Sequence, residues 1–146
     1  MVKKENQTLL KAKWSRTGFI TLEIFNAFSA LAGGFGLMTN PDGIVFGMDV
    51  SWLEGTPFSS FLIPGIVLFI VNGIGNSVGA MLSFRKNKMA PYVAAFFGFV
   101  MMVWIVSQVA WIGYRSFLQP LYFGVGIAQL ILAYIFVVRN SQSKIR

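Results

Sequence analysis

The chain reads as an all-α protein: a bundle of four transmembrane helices, with one structured external loop between helices 1 and 2. Three observations lead there. Hydrophobic residues make up 55% of the 146 and charged residues only 12%, whereas about one quarter of a soluble domain is charged. Four apolar runs are each long enough to cross hydrocarbon, which takes about 20 residues of helix. All but one of the twelve basic residues then fall on the same side of a four-pass path.

The first run, residues 17–38, follows a basic segment at 1–16. A basic start, an apolar stretch and the small-residue pattern Ala30-Leu31-Ala32 imitate a secretory signal, but Glu23 interrupts what would be an uncharged core, so the run reads as the first membrane helix. The external loop, 39–60, opens on the turn signal Asn40-Pro41-Asp42-Gly43. After it Ile44, Phe46, Met48, Val50 and Trp52 alternate with Val45, Gly47, Asp49 and Ser51, the period of a half-buried extended segment. A short interfacial helix anchored by Trp52 and Leu53 is the alternative. In either form the loop is expected to lie over the outer mouth of the bundle, as a lid or simply as a cover for helix ends.

The apolar run of helix 2 spans 61–84, and the helix is expected to begin at Pro57-Phe58, with Pro64-Gly65 leaving a kink or an opened carbonyl. Helices 3 and 4, at 89–113 and 117–138, are joined so tightly that they must form an antiparallel hairpin, and a basic tail, 139–146, closes the chain.

Charge sets the orientation. Lys3, Lys4, Lys11, Lys13 and Arg16 precede helix 1; Arg85, Lys86 and Lys88 lie between helices 2 and 3; Arg139, Lys144 and Arg146 follow helix 4. Arg115 lies on the other side, with Asp42, Asp49 and Glu54. The positive-inside rule therefore puts both termini in the cytoplasm of a plasma membrane. The net charge of +7 so distributed points to anionic lipid headgroups, and no nucleic acid is expected. The chain has no cysteine and no histidine, which removes thiolate chemistry, the usual zinc and haem ligands and the commonest general base. No cofactor or metal is expected. With a single intramembrane acid, neither an acid–base pair nor a nucleophile–base set can be assembled, and the chain reads as a non-enzyme.

Within hydrocarbon, polar side chains must face protein or a cavity. On helix 1, Glu23, Asn26, Ala27, Ala30 and Gly33 or Gly34 share one face; on helix 2, Gly65, Asn72, Asn76, Gly79 and Ser83 do the same. At roughly 1.5 Å per residue, Glu23 lies about 9 Å from the cytoplasmic end of its run, Asn76 about 12 Å and Gln129 about 14 Å, with Asn26, Asn72 and Tyr134 near this band. Glu23, Asn26, Asn72, Asn76, Gln129 and Tyr134 are therefore expected to converge as a polar cluster. In a dry cluster Glu23 keeps a proton and donates it to an amide oxygen of Asn72, Asn76 or Gln129. In a wet one it ionises and attracts a cation or protonated amine. No lysine or arginine lies at that depth to pair with it. The cluster is either an interhelical clamp or a functional site.

A second group lies in the outer half: Trp104, Gln108, Trp111 and Arg115 recur along helix 3, with Gln119 and Tyr122 across the turn. It reads either as belt residues and a snorkelling arginine or as an aromatic slot for a lipid headgroup or amphipathic ligand.

At Leu53-Glu54-Gly55-Thr56-Pro57-Phe58, Leu62-Ile63-Pro64-Gly65 and Gln119-Pro120-Leu121-Tyr122-Phe123 the chain resembles a group of uncharacterised small four-helix integral membrane proteins of bacteria, and its topology is similar to DoxX-like proteins. The resemblance implies a bacterial plasma membrane and carries no activity. The expected role is that of a binding or accessory subunit, for a lipid, a small amphipathic ligand or a larger membrane partner, acting through the cluster around Glu23. The alternative is a small proton- or cation-coupled transporter or channel that uses Glu23, and a homodimer is compatible with that reading.

Overall fold

A computed structural model describes residues 2–142. Its helices are α1 (Val2–Thr39), α2 (Leu62–Phe84), α3 (Ala90–Ile112) and α4 (Leu118–Gln142). Each is long and apolar enough to cross a membrane, the crossing part of α1 being Lys13–Thr39. Helix α1 thus begins far ahead of Thr17, carrying the basic segment as part of one continuous helix. The four stand in a ring in chain order, with α4 returning to α1. The start of α1, the end of α4 and the 85–89 turn share the basic end; the 40–61 loop and the α3–α4 turn share the opposite, lid end.

Small residues set the helix spacing. A Cβ on Gly34 would come within 2.8 Å of the Gly65 carbonyl oxygen, and one on Gly126 within 2.7 Å of the Gly98 oxygen, so the α1–α2 and α3–α4 backbones nearly touch. Such contacts are the means of association where water supplies no hydrophobic force between helices. Toward the basic end from these crossings Phe19, Ala94 and Ala133 are fully buried, and Phe136 meets Phe19 edge-on at 5.6 Å.

The loop is folded, with no extended segment. Residues Ile44–Phe46 and Val50–Leu53 form two 3-10 turns, so of the two expectations for this stretch the short helix at Trp52 and Leu53 is the one that forms. The alternating pattern is overridden by local chemistry. Gly43 and Gly47 take the left-handed conformation, at φ 77° and 65°, and the carboxylates of Asp42 and Asp49 accept from the N–H groups of Ile44 and Ser51 at 3.1 and 2.8 Å. Asp side chains that bond the backbone two residues on favour turns over strands. The Ser51 backbone bond also holds the Asp49 carboxyl below the usual carboxylate range. The loop closes on itself where Phe61 N donates to Pro41 O at 2.8 Å, and Leu53 and Phe61 bury against Leu37 of α1 with Met48, Phe58 and Ile112 around them.

This small core also explains why α2 starts at Leu62 and not at Pro57-Phe58: the intervening residues belong to the lid. Pro64 sits in the first turn, where its missing N–H is not needed. The irregularity of α2 comes one turn later, as a π-helical stretch over Leu68–Ile74.

Candidate functional site

Two polar features lie inside the bundle. The deeper is a hydrogen-bonded layer that crosses all four helices. Asn26 Nδ2 on α1 donates to Gln129 Oε1 on α4 at 2.8 Å; Gln129 Nε2 donates to Asn76 Oδ1 on α2 at 3.1 Å and to the Ala94 carbonyl on α3 at 2.9 Å. Asn76 Nδ2 then donates to the Asn72 carbonyl at 2.8 Å. The Ala94 oxygen can only accept, so it fixes which end of the Gln129 amide faces α3, and the rest of the chain follows from it. Glu23, Asn26, Asn72, Asn76 and Gln129 are all completely buried. The π-helical stretch brings Asn72 into this interior, and such stretches are frequent at functional sites.

Glu23 joins the layer's edge and not its centre. Helical side chains tilt toward the helix N-terminus, so the carboxyl points to the basic end. There Ser83 Oγ donates to Oε2 at 3.0 Å, while Oε1 lies against Gly79, where any Cβ would collide with it. Arg16 donates to the Ser83 carbonyl. The expectation that Glu23 would bond to an amide of Asn72, Asn76 or Gln129 is therefore corrected: its partner is Ser83. That serine was visible on the helix 2 stripe but was not carried into the site. Tyr134 is also excluded. It is 67% exposed, because five residues beyond Gln129 is about 140° around the helix. Among the described residues four buried polar atoms remain without a partner: Glu23 Oε1, Asn26 Oδ1 and the side-chain oxygen and nitrogen of Asn72.

The second feature is a cavity of about 630 Å³ at the lid end. Trp104, Gln108, Arg115, Gln119 and Tyr122, five of the six residues expected there, line it. Trp111 does not: its ring meets Phe58 of the lid edge-on at 5.1 Å, and half of its surface is exposed on the outside of the bundle. Gln119 reaches the cavity but its amide is committed to the turn. It accepts from Arg115 N at 2.8 Å and Ser116 N at 3.3 Å, and donates to Gly113 O at 3.2 Å. Arg115 Nε donates to Ile112 O at 2.8 Å, and the guanidinium carbon stands 5.0 Å from the Trp52 ring centre. That cation–π contact joins the lid to the rim. Tyr122 stacks on Phe25 at 5.7 Å, and Gln108 makes no hydrogen bond among the described residues.

The lid supplies Phe46, Met48 and Trp52 to the cavity, and α1 supplies Ser29, Gly33 and Leu37. These were not expected at the site, although Phe46, Met48 and Trp52 share one parity of the alternating loop pattern. The cavity's size is that of a small-molecule site, and its composition, aromatic and apolar walls with few polar groups, is typical of one. Among the described residues no three of His, Cys, Asp or Glu cluster to hold a metal ion.

No family model, no curated protein and no solved structure matches the chain.

Proposed function

We propose that the chain is a binding protein of a bacterial plasma membrane, with both termini cytoplasmic, that holds one lipid-like amphipathic molecule in the cavity beneath its lid. The carrying observation is that cavity: about 630 Å³ bounded by Trp52, Trp104 and Tyr122, with Arg115 at its rim and, in its wall, Gln108, which makes no hydrogen bond among the described residues. Apolar walls suit an acyl or prenyl tail. The guanidinium, only one nitrogen of which is spent on Ile112, suits an anionic head. The amide layer below holds the four helices in register under the cavity floor. An accessory role for a larger membrane partner fits the same site if the bound molecule is the partner's lipid.

The test is a titration of the full chain in mild detergent with a single-chain anionic amphiphile, read by the fluorescence of Trp52 and Trp104. Saturable binding is expected in the wild type. Arg115→Ala is expected to weaken it about tenfold, or 1.4 kcal/mol. Equal affinity in both, or none in either, sinks the proposal.

A second reading, proton- or cation-coupled transport, is favoured by one observation: the fully buried Glu23 has an oxygen with no partner. It expects Glu23→Gln to abolish pH- or cation-dependent flux in proteoliposomes with the fold intact.

A further inference from the structure

The buried partnerless atoms on α1 are both oxygens, Glu23 Oε1 and Asn26 Oδ1; the other two among the described residues are the amide oxygen and nitrogen of Asn72 on α2. The two on α1 sit three residues apart, hence on one face of the helix. The identity of the Asn26 atom is forced. Ala94 O fixes the Gln129 amide, Gln129 Oε1 then requires the Asn26 NH2 group, and only the oxygen of Asn26 is left over. A buried acceptor left without a donor costs its full desolvation, which a bound cation offsets. Arg16 donates to the Ser83 carbonyl but gives no hydrogen bond to Oε1, and the α3 atom that approaches Gly79 is the apolar Val93 Cγ1.

We infer that Glu23 Oε1 and Asn26 Oδ1 are two ligands of a site for a small monovalent cation of the Na+ class. The chemistry selects the class. One carboxylate balances one positive charge. Calcium takes six to eight oxygens and magnesium a near-octahedral set with retained waters, and transition metals favour imidazole or thiolate donors that this chain lacks. The Ser83 hydroxyl, which donates to Oε2, keeps lone pairs for the same ion. Glu23 Oε1 itself takes the space that a side chain at position 79 would fill, so Gly79 is what admits the carboxyl here. The inference deepens the transport reading by naming what Glu23 binds, and it stands whether or not the ion crosses the membrane.

Equilibrium binding separates the two. The full chain in detergent is compared in NaCl and in choline chloride at equal ionic strength, by thermal unfolding and by retention of 22Na+. Saturable retention near one ion per chain and a higher unfolding temperature in Na+ are expected for the wild type. Glu23→Gln is expected to weaken apparent Na+ affinity at least tenfold. Wild type that does not distinguish Na+ from choline overturns the site, as does an affinity undiminished in Glu23→Gln. If that variant does not fold, the wild-type retention decides alone. Stabilisation by acid in choline, with no Na+ retained, assigns the position to a proton and also overturns it. Sodium bound without Na+-dependent flux refutes the transport reading and leaves the site standing.

Discussion

Glu23 and Gln129 carry different burdens although both are fully buried. Gln129 spends three hydrogen bonds on three other helices, so Gln129→Leu strands an Asn26 donor, an Asn76 acceptor and a backbone carbonyl together. Thermal unfolding in detergent is expected to show a loss of about 1–3 kcal/mol, while Tyr134→Phe, on the outer surface, changes stability by less than about 0.5 kcal/mol. Glu23→Gln preserves an acceptor for Ser83 and is expected to be close to neutral in the absence of Na+. Glu23→Leu leaves that hydroxyl unpaired and crowds Gly79, and its unfolding temperature should fall below that of Glu23→Gln; equal values would contradict the Ser83 contact. The depth of these residues was readable from residue counts along each helix. The partner of Glu23 was not, because counting places a Cα, whereas the side chain reaches back along the helix toward the turn before it.

At the scale of elements, the α3–α4 contact rests on two glycines whose backbones nearly meet. Gly98→Val and Gly126→Val force the helices apart and are each expected to cost about 1–3 kcal/mol, seen as a lowered unfolding temperature. The lid depends instead on turn chemistry. Its Asp49 carboxyl is held below the usual range by the Ser51 N–H. The cap is therefore intact above the ordinary Asp value of about 3.9 and is lost as pH falls through the lowered one. Hydrogen exchange at Ser51 N–H should be flat from neutral pH down to about 4, after correction for intrinsic rates, and rise only below it. Exchange that rises near pH 6 would refute this capping role. The four helices were legible because each is a long apolar run with few competing signals. The loop was misread in part, since Ile44 to Trp52 alternates like a strand while Gly43, Gly47 and the two aspartates dictate turns. The π-helical stretch had no signature beyond Asn72 itself; the proline-glycine pair just before it drew attention to the wrong turn.

For the whole molecule, two layers stack along the bundle axis. An amide layer ties the helices together toward the basic end, and a cavity opens above it under a lid joined to the rim by Trp52 and Arg115. The outer slot was legible in the sequence because Trp104, Gln108 and Arg115 recur at helical spacing on α3. Its far walls were not, because they come from α1 and the lid and depend on how the ring of helices closes. Gly33 offers a direct probe of the space so enclosed. A Cβ there meets only Leu68, at 3.5 Å, so Gly33→Leu is expected to fold and to project into the cavity. The measurement to make is a native mass spectrum of wild type and Gly33→Leu, each extracted from its own membrane in mild detergent. One retained amphipathic molecule per wild-type chain is expected, and its loss from a folded Gly33→Leu. A wild-type chain that emerges bare, or the same adduct on both proteins, would contradict a ligand held in the cavity.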